Sequence, residues 1–219
     1  MTERPLPPGQ RERHDFPRFG LRQFAHRLPR ELHRGLQVGG DVDEPCLVSE
    51  HDLSSLTRVA QTSDFHCVTT WSTRSLRWSG YRFRELFERI VERRARPRTD
   101  AVFAILRSVD GYAVSLPLED LLADDVLLAD GLNGAPLSVE HGAPLRLVAP
   151  QHYGYKSPKY LCALELWRDA RHYRTAAFRF MDHPRARVAF EERGRGLPGA
   201  LLRYLYRPLI EPHGPAVSR

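Results

Sequence analysis

The order of apolar and polar residues predicts a chain built mainly from strands. Apolar runs of roughly four to eight residues, bounded by Gly, Pro, Asn or Asp, are typical of buried strands. Residues 35–48 predict a strand pair broken at Gly39-Gly40, and Asn133-Gly134 predicts a tight turn. The remaining predicted strands are residues 57–68, 101–106, 112–116, 126–130, 145–149 and 161–167.

Helical spacing is clearest in residues 81–95. Apolar side chains recur there three and four positions apart and form one face, whereas charged residues form the opposite, solvated face. Ser49 is placed to cap a short helix through Leu56, and Pro117 is placed at the first turn of another helix over residues 118–122. These elements predict an α+β fold with a mixed, strand-rich core and surrounding helices.

Both ends of the chain differ from this core of residues 35–167. Residues 1–34 are rich in Pro, Arg and His without a sustained period, and they predict an extended arm. Residues 168–207 predict one or two basic helices interrupted around Gly194, Gly196 and Pro198, and residues 208–219 predict a loose tail. We therefore expect one domain, with residues 168–219 as a basic helical extension packed on the core.

Composition narrows the class of protein. The 219 residues suffice for one substantial core, and contents of 42% hydrophobic and 27% charged residues are ordinary for a globular protein. No apolar run approaches the length of about eighteen residues that suggests a membrane span. The N-terminal residues also lack the features of a secretory signal. We expect no membrane span and a cytoplasmic location.

The net charge of +6 would suit an anionic partner. The arginines are spread over the arm, residues 82–98 and residues 168–207, which argues against a nucleic-acid surface. A cofactor that bears phosphate would also need basic residues around it. The expectation is therefore that no nucleic acid binds.

The three cysteines, Cys46, Cys67 and Cys162, lack the C-x-x-C spacing of a zinc site. Cys67 lies in residues 64–72, DFHCVTTWS, a pattern that predicts a strand running into a tight loop. A lone cysteine is ordinarily a small buried hydrophobic residue. At a strand end, its thiol could instead serve as a soft metal ligand.

Further motifs follow Cys67 in order: DGYAVSLPL at residues 110–118, LNGAPL at 132–137, EHGAPLR at 140–146 and YGYKSPKYL at 153–161. The arm adds DFPRFG at residues 15–20. Together with DFHCVTTWS, these runs resemble the sulfite-oxidase-type molybdopterin-dependent oxidoreductases, especially a small bacterial branch. The matches after the arm lie within residues 64–167, about half of the chain.

This resemblance implies a sulfite-oxidase-like molybdopterin-binding fold and a molybdenum–molybdopterin cofactor. Cys67 would be the metal ligand and therefore the catalytic residue, because a thiolate suits a metal that also takes two sulfurs from its cofactor. The other cofactor contacts that the resemblance implies are Phe16, His66, Val68, Thr69, His141, Arg146, Lys156, Ser157 and Lys159.

Several of these residues also have purely structural interpretations. Lys156 and Lys159 could be ordinary surface charges, although the Gly-rich strand end before them could supply N–H groups to an anion. His141 could be a hydrogen-bonded structural residue, and Arg146 could lie on a surface strand. His66 could face the cofactor or the opposite side, because neighbouring strand residues alternate faces.

The function that the resemblance implies is a mononuclear molybdenum oxidoreductase, which transfers an oxygen atom with two-electron redox on a small substrate. No haem, flavin or iron–sulfur motif is present, so a separate electron-transfer protein is expected. Residues 168–207, with interleaved aromatic residues, could be its docking surface or a basic helical pair packed on the domain. The alternative is a non-catalytic molybdopterin-binding or carrier module, against which the retained Cys67 argues.

Overall fold

Two β-sheets contain most of the regular backbone in this computed structural model, which describes residues 5–17, 29, 35–175 and 178–206. In chain order, the strands are β1 (Arg11–Glu12), β2 (Gly35–Gly40), β3 (Cys46–Ser49), β4 (Arg58–His66), β5 (Trp71–Arg82), β6 (Phe103–Ser108), β7 (Ala113–Pro117), β8 (Leu127–Leu132), β9 (Ala135–Pro136), β10 (Arg146–Val148) and β11 (Leu161–Trp167).

The first sheet is arranged around β5. This strand pairs antiparallel with β4 along one edge, and with β8 and the parallel β1 along the other edge. β8 in turn pairs with β9 and β10. In the β4–β5 hairpin, Arg58 lies opposite Tyr81 and His66 lies opposite Ser72, so the connecting loop contains Cys67.

The second sheet has the strand order β3-β2-β11-β6-β7. β2 and β11 are parallel, and the other neighbours are antiparallel. The main hydrophobic core contains side chains from both sheets, including Leu36, Leu106, Leu128 and Leu164. A second apolar cluster includes Leu127 and Ala129, the two neighbours of Leu128, so β8 is covered on both faces.

The helices are short. α1 (Glu50–Ser54) begins at a capping box formed by Ser49 and Asp52. α2 (Phe83–Leu86), a π-helical turn (Phe87–Val91) and α3 (Glu92–Ala95) follow one another without a break. The other α-helices of the described residues are α4 (Leu118–Leu121) and α5 (Gly199–Tyr206). In the part of the chain that the structure describes, no helix is long and apolar enough to cross a membrane.

Most predicted elements of the core are confirmed. β11 has the predicted bounds, and the predicted helix of residues 81–95 begins two residues later, after β5 ends at Arg82. Asn133 and Gly134 both have positive φ angles, of 52° and 86°, as a tight hairpin turn requires. β5 itself was not predicted as a strand, because its many polar residues gave no local strand signal. Its strand conformation depends on pairing with β4.

The prediction of basic helices over residues 168–207 is wrong except at α5. Residues before α5 form 3-10 turns (Ala170–His172 and Arg179–Met181) and irregular backbone. Pro184 disfavours a helical conformation of the residue before it. The backbone of this segment bonds the core instead, through Tyr153 N–H to the Ala186 carbonyl and Val188 N–H to the Gln151 carbonyl. Residues 207–219 and most of residues 18–34 lie outside the described residues.

Two adjacent glycines at the end of β2 should respond very differently to substitution by alanine. Gly40 has φ +91°, and an added Cβ would lie 2.2 Å from the Leu166 carbonyl oxygen, whereas a Cβ on Gly39 meets no atom within 4 Å. Gly40→Ala should therefore lower the free energy of unfolding by about 2–4 kcal/mol. Gly39→Ala, the matched control, should change it by no more than about 0.5 kcal/mol. Urea unfolding measures both, and equal midpoints for the two variants would contradict the close packing of β2 against β11.

Candidate functional site

A tight loop presents Cys67 between β4 and β5. Cys67 N–H donates to the Trp71 carbonyl (2.8 Å), and Thr70 N–H donates to the Cys67 carbonyl (3.1 Å). Thr70 has φ +80°, an unusual conformation for a β-branched residue. The predicted change from a strand to a tight loop at Cys67 is confirmed.

The Cys67 thiol is buried, with 5% of the residue exposed. Its Sγ atom lies 3.0 Å from Thr69 Oγ1, in a hydrogen bond. Burial raises the pKa of Cys67 to about 11, because desolvation disfavours the thiolate. Without a metal the thiol is therefore protonated at neutral pH, and a metal that binds here must displace the proton.

His66 lies on the opposite side of the hairpin from its neighbour Phe65. His66 Nδ1 is 2.7 Å from Ser72 Oγ, and that hydroxyl donates to Gln10 Oε1 at 3.0 Å. The Ser72 hydroxyl has one hydrogen, so it accepts from His66, which places the proton on Nδ1. His66 also borders a cavity of about 180 Å³ that Gln151, Arg187 and Phe190 help to line.

Phe65 faces a cluster of aromatic rings that includes Phe16 of the arm. The Phe16 ring lies 5.1 Å from Phe65, 5.8 Å from Trp78 and 5.0 Å from His141. His141 Nε2 is 3.0 Å from the Phe16 carbonyl oxygen, which can only accept, so Nε2 carries the proton. Burial lowers the pKa of His141, which keeps the ring neutral at neutral pH.

Arg146 is a buried cation beside this cluster, with 1% of the residue exposed. Its Nη1 donates to the His141 carbonyl (2.8 Å) and its Nη2 to the Ser157 carbonyl (3.3 Å). The guanidinium carbon lies 5.1 Å from the centre of the Trp78 ring. Burial lowers the pKa of Arg146 to about 10. No carboxylate among the described residues pairs with it.

Ser157 and Lys159 adjoin Arg146. Ser157 Oγ accepts a hydrogen bond from Ala149 N–H (3.2 Å), and Lys159 Nζ donates to the Glu140 carbonyl (2.7 Å). Gly142 makes this approach possible, because a Cβ there would lie 3.0 Å from Lys159 Cβ and 3.1 Å from Arg146 Cβ. The structure thus brings together five of the predicted cofactor contacts: Phe16, His141, Arg146, Ser157 and Lys159.

Lys156 has different partners. It is fully buried, and its ammonium group lies 3.0 Å from Asp182 Oδ1 and 2.9 Å from the Ser115 carbonyl oxygen. Burial lowers the pKa of Lys156, and the Asp182 carboxylate opposes that change. In the described structure, Lys156 forms a buried ion pair with the C-terminal segment, and its predicted contact with the cofactor stays a prediction.

Two residues that contact the Cys67 loop were not predicted. Gln10 Nε2 donates to the Cys67 carbonyl (3.1 Å), and Arg193 Nη1 donates to the Val68 carbonyl (2.5 Å). Val68 also packs against a small cluster that includes Tyr153 and Val188. Both polar residues lie in segments without regular spacing, so no local signal could have found them.

The residues present fit a molybdopterin cofactor. Among the described residues, no group of three His, Cys, Asp or Glu side chains could hold a metal ion, so a metal at Cys67 would take its other ligands from the cofactor. A single thiol is a suitable soft ligand for such a metal. A buried guanidinium without a carboxylate is costly by itself and suits an anionic group.

The α+β fold and this site belong to the class of cofactor-binding oxidoreductase domains. Residues 27–174 match the family described as "Oxidoreductase molybdopterin binding domain". The chain belongs to this family, and the molybdopterin cofactor that the motifs implied is confirmed at the level of the family.

Two relatives show how far the similarity extends. The uncharacterized oxidoreductase YuiH of Bacillus subtilis (strain 168) is 40% identical over 134 residues, which are 61% of this chain and 65% of YuiH. The protein-methionine-sulfoxide reductase catalytic subunit MsrP of Campylobacter jejuni is 27% identical over 151 residues, which are 61% of this chain and 49% of MsrP. The chain thus spans between about half and two thirds of these relatives.

A solved structure supports the fold. The sulfane dehydrogenase SoxCD from Paracoccus pantotrophus superimposes with a TM-score of 0.56 and 21% sequence identity, over 71% of this chain and 41% of that chain. The predicted α+β fold of sulfite-oxidase type is confirmed.

Four histidines that are buried or partly buried predict a loss of stability in mild acid. Burial lowers the pKa of each from its ordinary value of 6.5. The unfolded chain therefore binds more protons just below pH 6.5, and stability present above that pH is lost as the pH falls. Carboxylates with lowered pKa values have ordinary pKa values of 3.8 or 4.5. Their contribution to stability is therefore lost only below about pH 4.5. The four histidines concerned are His66, His141, His152 and His183.

Urea unfolding at intervals between pH 7.5 and pH 5 measures this effect. The free energy of unfolding should decrease steadily below pH 6.5, and the decrease should be smaller in His141→Gln. His51→Gln, at an exposed position, is the matched control and should keep the full decrease. A pH-independent free energy of unfolding across this range would show that the buried histidines are not held neutral.

Proposed function

We propose that this chain is a mononuclear molybdenum oxidoreductase that transfers an oxygen atom, with two-electron redox, to or from a small substrate. The observation that carries the proposal is the buried Cys67 thiol on a hairpin loop, beside a cluster in which Arg146 has no carboxylate partner among the residues that the structure describes. When bound, the cofactor supplies the metal whose two-electron redox change accompanies the atom transfer.

The chain's own residues would hold that cofactor in place. Cys67 would ligate the metal, with Thr69 hydrogen-bonded to its sulfur and Val68 held in the same loop. His141, Arg146 and Lys159 would bind the anionic part of the cofactor, because charge-assisted hydrogen bonds favour phosphate. The remaining proposed contacts are Phe16, His66, Lys156 and Ser157.

Sulfoxides are the substrate class to test first. The Campylobacter jejuni relative and two Xanthomonas relatives are named as catalytic subunits of protein-methionine-sulfoxide reductases. These names support reduction of a sulfoxide as the reaction. In each case the part that matches this chain is less than half of the relative's length.

Electrons would come from a separate protein. The predicted basic docking surface of residues 168–207 receives little support, because most of its arginines are already paired with carboxylates. Six of the nine described arginines are paired: Arg168 with Asp41, Arg171 with Asp169, Arg185 with Asp120, Arg187 with Glu192, and both Arg193 and Arg203 with Glu191. We propose the electron partner without assigning its surface.

A cytoplasmic location is likewise proposed, since all three cysteines are free.

Replacing the ligand tests the proposal directly. Cys67→Ser should retain the fold and lose the part of the charge-transfer absorption that comes from the Cys67 sulfur, because serine offers a harder oxygen ligand. Losing a residue that only contacts a metal ligand lowers metal affinity or activity by about 10–100-fold. Losing the ligand itself should therefore lower activity by more than ~100-fold. Cys46→Ser and Cys162→Ser are the matched controls and should keep both properties.

The assay uses artificial electron donors and acceptors with sulfoxides, N-oxides and sulfite, and follows the Mo(V) signal by electron paramagnetic resonance. Unchanged absorption in Cys67→Ser would remove the ligand assignment. A fully loaded protein whose metal never changes oxidation state would favour the non-catalytic carrier.

Paired variants separate the two lysines. Lys159→Met should lower cofactor occupancy with little change in stability, because Lys159 is only partly buried. Lys156→Met should lower the free energy of unfolding by about 3–5 kcal/mol, because Asp182 would be left buried without a counter-ion. Lys156→Met/Asp182→Leu should recover most of that loss.

Urea unfolding and metal content per chain measure these effects. A stable Lys156→Met/Asp182→Leu variant with reduced occupancy would support the proposed cofactor contact of Lys156. The same variant with full occupancy would make Lys156 a residue of the buried ion pair alone. Full occupancy in Lys159→Met would remove Lys159 from the proposed site.

A further inference from the structure

Arg193 is a fully buried arginine outside residues 27–174, the part of the chain that matches the family. It donates from Nη1 to the Val68 carbonyl (2.5 Å) and from Nη2 to the Pro8 carbonyl (3.2 Å). Its Nε lies 3.2 Å from Glu191 Oε1, and its guanidinium carbon is 4.9 Å from the centre of the Tyr153 ring. One side chain thus joins the arm, the Cys67 loop and the C-terminal segment.

These contacts bear on the peptide groups around Cys67. The Val68 carbonyl is held by Arg193, and the preceding Cys67 carbonyl is held by Gln10 of the arm. Two consecutive carbonyls of a four-residue loop are therefore bonded from outside the hairpin. Fixing these peptide groups limits the directions in which the Cys67 sulfur can point, because the backbone torsions beside Cys67 determine its side-chain rotamers.

The C-terminal segment has several contacts with the core besides those of Arg193. Arg185 of the same segment pairs with Asp120, and Asp182 pairs with Lys156. Backbone hydrogen bonds also join this segment to residues 151 and 153. Unlike these pairs, Arg193 also donates a hydrogen bond to the Val68 carbonyl, in the loop that contains Cys67.

We propose that Arg193 is a positioning residue, which holds the Cys67 loop in the conformation that ligates the metal. This inference rests on the proposed function of Cys67. A guanidinium suits the role because its planar, forked N–H groups can bind two carbonyl groups at once, whereas a lysine ammonium concentrates its charge at one point. Glu191, whose Oε1 lies 3.2 Å from Arg193 Nε, offsets the buried charge.

The first test uses the full chain made without cofactor. Arg193→Met, Arg193→Lys and the matched control Arg185→Met are treated with a thiol reagent at one fixed pH, and labelling at each cysteine is quantified by mass spectrometry. Cys46 and Cys162, both partly exposed, are internal references. Cys67 should react about tenfold faster or more in Arg193→Met, because local opening of the loop exposes the thiol. Arg185→Met should match the parent at Cys67.

The second test uses the same variants loaded with cofactor. Arg193→Met should shift the sulfur-to-metal absorption and the Mo(V) resonance signal, and Arg193→Lys should restore part of the parent signal. If Arg193→Met does not fold, Arg193→Lys and Gln10→Ala, which removes the bond to the Cys67 carbonyl, provide the same two measurements.

Equal Cys67 labelling in the Arg193 variants and Arg185→Met would overturn the proposal, as would an unchanged metal signal in the loaded variants. Failure of the proposed function gives a different result: Cys67→Ser would keep the metal signal while Arg193→Met still accelerated labelling of Cys67. The two ideas therefore fail in distinguishable ways.

Discussion

The site depends on the pairing of β5, which has partners along both edges. β4 occupies one edge, and β1 and β8 occupy opposite ends of the other edge. A register slip of one residue would exchange the two faces of the strand, and all three partners oppose it. The loop that begins at Cys67 consequently keeps its place relative to Phe65 and the aromatic cluster around Phe16.

The three buried cations in and around the site differ in whether a carboxylate lies beside them. Lys156 and Arg193 each have a carboxylate partner, whereas within the described residues Arg146 has no carboxylate partner and instead donates to carbonyl groups and lies over the Trp78 ring. Because an uncompensated charge is costly in a buried site, a paired cation contributes to the fold and an unpaired one is suited to a ligand. This distinction supports the proposed contact of Arg146 with the anionic end of the cofactor.

The C-terminal segment belongs to the site although it lies beyond the residues that match the family. It supplies Asp182 to Lys156, Arg193 to the Cys67 loop and Val188 to the cluster beside Val68. The arm approaches the same loop through Gln10 and pairs with β5 through β1. The loop that contains Cys67 is therefore contacted from both ends of the described chain.

Local features of the sequence determined much of the fold. The bounds of β11, the Asn133-Gly134 turn, the cap at Ser49 and the end of a strand at Cys67 all follow from spacing and turn chemistry within a few residues. The ordered motifs determined the family for the same reason, because each is a short contiguous run. Residues 168–198 are the exception, since their helical pattern was outweighed by backbone hydrogen bonds to the core.

Only the tertiary structure decided what each candidate side chain contacts. The pair of Lys156 with Asp182 spans 26 residues, and the bond from Arg193 to Val68 spans 125. The side of the hairpin that His66 faces depended on the pairing of His66 with Ser72. The surroundings of Arg146, buried with no carboxylate partner in the described part of the chain, depended on which groups packed around it. Such contacts join distant segments, and the chemistry of a side chain is set by its three-dimensional surroundings, which short sequence patterns do not contain.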